Sequence, residues 1–202
     1  MQSKSIKGTS PDEIKTELRL SMTDGFNPTL AIVFLSTKQD KAAISRILDQ
    51  AGIAVFGVTT NGEFTGEGIT EKSVAILLLD INPDYFTILF SELSEKNYRQ
   101  ATQAIAKKAL EKFAHPAFLI AGSNLETDAE ELLHGFEDIH LPAGLSMNMK
   151  LHIIIGHRTE TVQQGLHFCQ IALQQFLIIL DLDSVCGGIE GRFTLLSRII
   201  NE

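Results

Sequence analysis

The chain has 202 residues, of which 44% are hydrophobic and 21% charged, and its formal net charge is −8. This balance is typical of a globular protein with a sizeable core and excludes a disordered chain. Because the negative charge would repel phosphate groups, it disfavours a nucleic-acid-binding surface and an anionic membrane surface. We therefore expect neither nucleic acid nor membrane among the partners.

Cysteine content and the amino-terminal sequence indicate the compartment. Cys169 and Cys186 are too few for a disulfide scaffold and lack metal-ligand spacing. The first residues contain no apolar segment typical of a signal peptide, and no apolar run approaches the roughly 20 residues that cross a bilayer. We expect free thiols and a cytoplasmic protein.

The first part of the chain predicts a β-α-β unit preceded by a helix. The helix begins at Ser10 and Pro11, a capping hydroxyl followed by a proline suited to the first helical position. The apolar run at 30–35 fits a strand covered on both faces, and 39–50 has helical spacing. A second apolar run starts at Ile53.

This second apolar run ends abruptly in a polar cluster. Its members are Thr59, Thr60, Asn61, Gly62 and Glu63. One interpretation is a cradle for a small ligand, in which hydroxyls, the amide and main-chain groups orient the ligand and the glutamate recognises an amino group. The other is an ordinary Asn-Gly turn with a solvated glutamate. The residues alone leave both open.

Strands and a helix are predicted for the middle of the chain. Two glycines in 64–68 indicate a loop or a hairpin connection. The apolar runs 74–79 and 85–90, separated by a turn containing Asn82 and Pro83, are predicted to pair as an antiparallel hairpin. Residues 94–113 have the apolar spacing of a long helix.

A further unit repeats the layout of strand, small polar loop and helix. The strand 117–121 runs into Gly122 and Ser123, and a capping box at Thr127 and Glu130 opens the next helix. Strand-end loops of this kind are the usual ligand sites of α/β sheets. Alternatives for Ser123 are a capping or turn serine and a nucleophile, although the Gly-x-Ser-x-Gly pattern of a nucleophile elbow is absent there.

Other features of the sequence give weaker signals. The six histidines show no spacing typical of a metal site, and the glycine-rich stretch 187–191 lacks the lysine and hydroxyl of a phosphate loop. Asp181 and Asp183 at a strand end suggest a solvated terminus rather than acid/base chemistry. We predict no metal site and no cofactor.

The carboxy-terminal third is the least regular part. Residues 152–155 predict a strand, and Val162, Leu166, Cys169 and Leu173 have helix-like spacing. A strand is predicted again at 176–183, and the run 193–200 fits a short helix or a strand. An apolar carboxy terminus of this kind would also suit contact with a partner chain.

Several segments together resemble the amino-terminal FIST domain. They are 3–8, 24–25, 28–34, 56–63 (Phe-Gly-Val-Thr-Thr-Asn-Gly-Glu), 78–85 and 135–138. The resemblance covers about 1–142 of a single domain, 1–202, whose part 143–202 diverges. It implies an intracellular sensory module of signal transduction whose proposed ligands are small molecules such as amino acids, and whose partners are signalling proteins or a second FIST-type domain.

The chain departs from the family pattern at one turn. Family members typically have Gly-Gly-x-Ala-Gly-Asp where this sequence has Ala143-Gly-Leu-Ser-Met-Asn-Met149, so the aspartate is missing. The expected fold is α/β, a mixed sheet with helices packed on it, containing β-α-β units and an antiparallel hairpin. The expected function is non-catalytic binding of an amino acid or small carboxylate by Thr59–Glu63 with Gly122 and Ser123. The alternatives are a small serine hydrolase using Ser123 and a protein-interaction module.

Overall fold

The computed structural model describes residues 2–60, 63–65, 68–70, 72–92, 97–114, 116–123, 128–139, 152–156, 168–169 and 174–181. The helices are α1 Pro11–Ser21, α2 Lys41–Gln50, α3 Tyr98–Lys112 and α4 Ala129–Glu137, with a 3-10 turn at Pro83–Tyr85. The strands are β1 Gln2–Gly8, β2 Leu30–Ser36, β3 Ala54–Thr60, β4 Glu63–Thr65, β5 Gly68–Thr70, β6 Val74–Asp80, β7 Phe86–Glu92, β8 Pro116–Ser123, β9 His152–Gly156, β10 Phe168–Cys169 and β11 Gln174–Asp181.

The α/β prediction is confirmed, and the strands form two mixed sheets and a small hairpin. The first sheet has the order β1-β6-β2-β3-β10 and the second β7-β11-β8-β9, while β4 and β5 form the antiparallel hairpin. Strands β2 and β3 are parallel and are connected by α2, which is the predicted β-α-β unit. Strand β6 runs antiparallel to both of its neighbours, β1 and β2.

The two sheets pack face to face with the helices outside. An inner core joins Ile32 and Phe56 of the first sheet to Leu119 and Ala121 of the second. The alternate residues of β2, such as Val33, pack instead against α1 and α2. Residues of β8 on its other face pack against α3 and α4. The layers therefore follow the order helix, sheet, sheet, helix, and central strands such as β2 bury both of their faces.

Helix α1 begins where its sequence predicts. The Ser10 hydroxyl accepts a hydrogen bond from the Glu13 backbone N–H at 3.3 Å, with Pro11 in the first turn. Its apolar stripe buries Ile14 and Leu18. At the other end the Lys4 ammonium donates to the Ser21 carbonyl oxygen at 2.6 Å, so a side chain of β1 satisfies a carbonyl that the helix leaves unpaired.

The predicted hairpin between the runs 74–79 and 85–90 is wrong. These runs are β6 and β7, and they belong to different sheets. The reason lies in the hydrogen-bonding edges of β6, since β1 occupies one and β2 the other. The 3-10 turn after Asn82 therefore carries the chain from the first sheet to the second.

Two further predictions need correction. The cap of α4 is Asp128 rather than Thr127, and the Asp128 carboxylate accepts from the Glu131 N–H at 3.1 Å. Helix-like spacing predicted a helix through Cys169, but Phe168 and Cys169 form β10, parallel to β3. Pairing with β3 overrides a spacing signal that was also weakened by a nearby glycine. The run 193–200 lies outside the described residues.

Candidate functional site

Buried polar side chains concentrate at one edge of the first sheet. Among the described residues, six polar side chains are buried, and four of them lie where β2 and β3 end and β6 begins. These four, which we call the carboxyl edge, are Ser36 (8% exposed), Thr59 (1%), Thr60 (9%) and Ser73 (5%). Because buried hydroxyls are costly unless hydrogen-bonded, such a concentration suggests a specific purpose.

Strand register holds the four residues together. Ser36 is opposite Thr60, and Leu35 is opposite Thr59, in the parallel pair of β2 and β3. The Ser36 N–H donates to the Ser73 carbonyl oxygen at 3.0 Å, which continues the antiparallel ladder to β6. Thr59, Thr60 and Ser73 also interact with other residues of the chain. The carboxyl edge is therefore part of the sheet itself rather than a loop.

Strand alternation gives the carboxyl edge two faces. Phe34 of β2 and Val58 of β3 lie in or against the inner core between the sheets. Ser36 and Thr60 come two residues later, so their side chains continue that inner face. Thr59 is opposite Leu35, which packs toward α1 and α2. Two hydroxyl side chains thus close the apolar inner core at this edge.

Gln39 fixes the loops around the carboxyl edge. Its side-chain amide donates to the Thr9 carbonyl oxygen at 2.9 Å and to the Lys72 carbonyl oxygen at 2.6 Å. Its own N–H donates to the Ser36 carbonyl oxygen at 3.0 Å. Lys72 has a positive φ of 63°, which a residue with a side chain adopts only where its surroundings hold it. One side chain therefore joins the loops that follow β1 and precede β6.

The start of α1 adds a carboxylate near this edge. Thr9, directly after β1, donates to the Glu13 carboxylate from its N–H at 2.7 Å and from its hydroxyl at 2.9 Å. These hydrogen bonds, the one from the backbone first, lower the pKa of Glu13 below its usual value. Together with the Ser10 cap they form a reciprocal capping arrangement that fixes the helix start.

The structure places part of the predicted cradle at the carboxyl edge. Thr59 and Thr60 are its two residues from β3. Asn61 and Gly62 lie outside the described residues. Glu63 begins β4, where its backbone is opposite Thr70 of β5.

The other predicted residues lie in the second sheet. Gly122 and Ser123 are the last two residues of β8, paired with β9 at Ile155 and Gly156. Their strand and β3 are not hydrogen-bonded neighbours, but both strands contribute to the same inner core.

Sequence reasoning missed Ser36 and Ser73. Ser36 directly follows the apolar run of β2, just as Thr59 and Thr60 follow the apolar run of β3. Because parallel neighbours end at the same sheet edge, the polar residue after the first run could have been grouped with the pair after the second. Ser73 becomes a neighbour only through the antiparallel pairing of β6 with β2, which no local pattern reveals.

Charged groups form clusters elsewhere on the surface. On α4, His134 lies 2.9 Å from Glu137 and 3.7 Å from Glu130, and the hydrogen bond to Glu137 raises its pKa. Within the described part of the chain, no group of three or more histidine, cysteine or acidic residues is arranged to hold a metal ion. No helix in that part is long and apolar enough to cross a membrane.

Comparison with solved structures gives a distant similarity. The crystal structure of cyanuric acid hydrolase from A. caulinodans superposes with a TM-score of 0.43 and 8% sequence identity. The match covers 89% of this chain and 66% of that one, so the chain spans slightly less than two thirds of the hydrolase. No curated protein sequence matches the chain.

A protein-family model gives the identity of the fold. The FIST N domain model matches residues 29–146, more than half of the chain. The matched region starts just before β2 and contains all four residues of the carboxyl edge. The chain belongs to the FIST N domain family.

Proposed function

We propose that the chain is a cytoplasmic sensory domain that binds a small molecule without catalysing a reaction, and that residues 1–202 form a single domain. Membership in the FIST N domain family supports a sensory role in signal transduction. The proposed ligand is an amino acid or a small carboxylate. The proposed partner of the sensing domain is a signalling protein or a second FIST-type domain.

The clustering of four buried polar residues at the carboxyl edge carries this proposal. A hydroxyl has one donor and two acceptor positions, so it can keep an internal hydrogen bond and also bind a ligand atom. Ser36 and Thr60 lie next to the apolar inner core, and ligand sites usually combine apolar walls with a few orienting polar groups. The proposed contacts are Thr59, Thr60, Asn61, Gly62 and Glu63, with Gly122 and Ser123 on the other side.

A hydroxyl at the opposite end of the first sheet joins strands, in contrast to the role proposed for the hydroxyls of the carboxyl edge. There the Thr29 hydroxyl lies between the Leu79 and Ile81 carbonyl oxygens and also accepts from the Ile81 N–H at 3.2 Å. This hydroxyl joins β2 to the end of β6. The carboxyl edge has four buried hydroxyl residues and lies where the parallel strands β2 and β3 end, which is where α/β sheets bind ligands.

A thermal-shift screen tests the proposal. Each of the twenty L-amino acids, acetate and succinate is added separately, and a bound compound raises the melting temperature by mass action. The Thr60→Val variant keeps the side-chain shape and removes the hydroxyl. We expect at least one compound to stabilise the wild-type chain and to stabilise Thr60→Val less, each relative to its own melting temperature without additive.

The matched control is Thr16→Val, which removes a hydroxyl that donates to the Asp12 carbonyl oxygen on the exposed side of α1. It should respond to the same compound as the wild type does. If no compound shifts the wild-type melting temperature, or if Thr60→Val responds fully, the proposed site is wrong.

A further inference from the structure

The two sheets repeat one topology. Four strands of the first sheet, β1, β2, β3 and β6, come from the first half of the chain. Their order in the sheet is β1-β6-β2-β3, so the last of them in sequence lies between the first and the second. The second sheet has the same order, β7-β11-β8-β9. In both sheets the last strand runs antiparallel to its two neighbours, and the second and third strands are parallel.

The helices repeat with the strands. In each half one helix follows the first strand and another follows the second, so α1 and α2 correspond to α3 and α4. Each pair packs on the outer face of its own sheet, and the inner faces meet in one core. Agreement of strand order, strand direction and helix placement indicates two versions of one folding unit.

Strand register aligns the halves residue by residue. The last strands end in Asp80 and Asp181, each preceded by a leucine. In the first half this leucine, Leu79, is opposite Leu30 of β2. In the second half Leu180 is opposite Ala117 of β8. Leu30 and Ala117 are therefore equivalent positions.

The same alignment brings two serines into correspondence. Ser36 lies six residues after Leu30, and Ser123 lies six residues after Ala117, so both serines take the same place in their halves. Each is also the last residue of its strand in the parallel ladder, opposite Thr60 and Gly156 respectively. The register of the aspartate-ended strands is enough to relate the halves, and the two serines coincide in addition.

The residues that follow the serines are also alike. The next helix after each serine is capped by an aspartate, Asp40 after Ser36 and Asp128 after Ser123. The Asp40 carboxylate accepts from the Ala43 N–H at 3.0 Å, as Asp128 accepts from the Glu131 N–H. The two strands therefore share the terminal serine, the register and an aspartate cap on the next helix.

We propose that Ser36 and Ser123 are paired contacts of one bipartite ligand site, to which each half of the duplicated fold contributes the serine at the end of its middle strand. The ligand would be a small molecule with a hydrogen-bond acceptor at both ends, of the dicarboxylate class. This inference rests on the proposed ligand-binding function and adds Ser36 and the two-ended character of the ligand.

The proposed ligand class depends on both serine hydroxyls acting as donors to the ligand. A serine hydroxyl donates one hydrogen bond, and two equivalent serines would present two donors. A molecule with a carboxylate at each end can accept both, whereas a monocarboxylate of the same length leaves one serine without its ligand contact. We expect the second carboxylate to strengthen binding about three- to tenfold, the effect of one net hydrogen bond.

The distance between the strand ends tests, without any ligand, whether β2 and β8 end at the same edge. Nitroxide labels are placed on cysteines introduced at Thr37, beside Ser36, and at Ser123, in a background with Cys169→Ser and Cys186→Ser. A second pair joins Ser123 to Asn82, which is exposed near the opposite end of the first sheet. Seven residues of β2 at roughly 3.3 Å each separate these ends by about 20 Å.

Double electron–electron resonance then compares the two pairs. The proposal predicts a shorter distance from position 37 to 123 than from 82 to 123. Equal distances, or a shorter distance from 82, would overturn it, because β2 and β8 would then not end at the same edge. If Ser123→Cys fails to fold, Ala129→Cys at the exposed start of α4 replaces it.

Titrations with succinate and butyrate test the ligand class. Both probes have four carbons, but only succinate has two carboxylates. The wild type should bind succinate about three- to tenfold more tightly than butyrate, and Ser36→Ala should abolish that difference. Ser21→Ala, which removes a hydroxyl at the far end of α1, should leave it unchanged.

The outcomes separate this inference from the proposed function. If an amino acid binds to the chain, but succinate and butyrate bind with equal affinity, the proposed sensory function stands and the bipartite site is rejected. A full succinate preference in Ser36→Ala would likewise reject Ser36 as a contact. Absence of any binding would reject the ligand class together with the proposed function, while the label distances would still decide whether the two serines lie at the same edge.

Discussion

Gly135 of α4 lies directly against Thr102 of α3. A β carbon at Gly135 would overlap the Thr102 hydroxyl oxygen and the Arg99 carbonyl oxygen. The Thr102 hydroxyl is itself buried and donates toward the Tyr98 and Arg99 carbonyl oxygens at 3.0 and 3.1 Å. The two helices over the second sheet therefore approach each other at a point where only glycine fits.

We expect Gly135→Ala to destabilise the protein by about 1–3 kcal/mol, the usual cost of overpacking. The better helix propensity of alanine, about 1 kcal/mol, opposes this loss but does not remove the overlap with a backbone oxygen. Urea denaturation measures the change. The control Leu133→Ala, at a more exposed position of the same helix, should stay within about 1 kcal/mol. A Gly135→Ala variant more stable than wild type would show that the helices can separate freely.

An ion pair between the same helices predicts a pH dependence. Arg99 donates to both oxygens of the Asp138 carboxylate, at 2.5 and 2.7 Å, and Gln103 donates to one of them. The Arg99 hydrogen bonds are the main reason that the pKa of Asp138 falls to about 2. A carboxyl whose pKa is lower in the folded state stabilises the fold above its unfolded pKa. That stabilisation is lost as the pH falls through about 2.

Urea midpoints of wild type and Asp138→Asn, measured from about pH 6 to about pH 2, check this prediction. Wild type should be the more stable above about pH 4, and the gap should close toward pH 2. Arg99→Gln removes the other partner and should give the same narrowing. A gap that stays constant over this range would mean that the pair does not lower the pKa of Asp138.

Ser45 of α2 gives a prediction of increased stability. Its side chain is 1% exposed, and within the described part of the chain its hydroxyl oxygen has no hydrogen-bond partner. Ser45→Ala removes this buried hydroxyl and introduces the best helix former, so we expect a gain of about 1 kcal/mol. Thermal and urea denaturation measure it. A loss of stability would show that the hydroxyl is hydrogen-bonded in solution.

The Gln39 side chain should contribute more to the stability of the fold than its partly exposed position suggests. Gln39→Ala removes the hydrogen bonds to the Thr9 and Lys72 carbonyl oxygens. At about 0.5–1.5 kcal/mol per bond, we expect a loss of about 1–3 kcal/mol. Faster hydrogen exchange in the loop before β6 should accompany it. Gln50→Ala, at the exposed end of α2, is the control and should have little effect on stability or on hydrogen exchange. If Gln39→Ala and Gln50→Ala have equal effects, the Gln39 side chain does not join the two loops.

Local chemistry in the sequence was enough to predict most elements. Ser10 and Pro11 mark the start of α1, and the apolar runs of β2 and β3 predict buried parallel strands. Each of these signals depends on residues close together in the chain, where capping and side-chain periodicity act. The structure confirms them for that reason.

The pairing of strands that are far apart in the sequence could not be predicted from local sequence patterns. Nothing near β6 shows that β1 and β2 already occupy both of its edges, so the predicted pairing with β7 was wrong. Cys169 belongs to β10 because β3 offers a parallel edge there. The Thr127 cap was displaced by one residue because Asp128 is an equally good capping residue.

The candidate site was predicted only in part for the same reason. Thr59 and Thr60 could be chosen from the polar end of a single apolar run. Ser36 joins them through the parallel register and Ser73 through the antiparallel one, both of which are properties of the sheet. The ligand-binding role of these residues stays a prediction.

A nuclear magnetic resonance titration shows whether a small molecule binds at the carboxyl edge. Backbone amide signals of the ¹⁵N-labelled chain are followed while each L-amino acid and succinate are added. A binding compound should shift the signals of Ser36, Thr59, Thr60 and Ser73 most strongly. Shifts concentrated away from the carboxyl edge, or no shifts with any of these compounds, would contradict it.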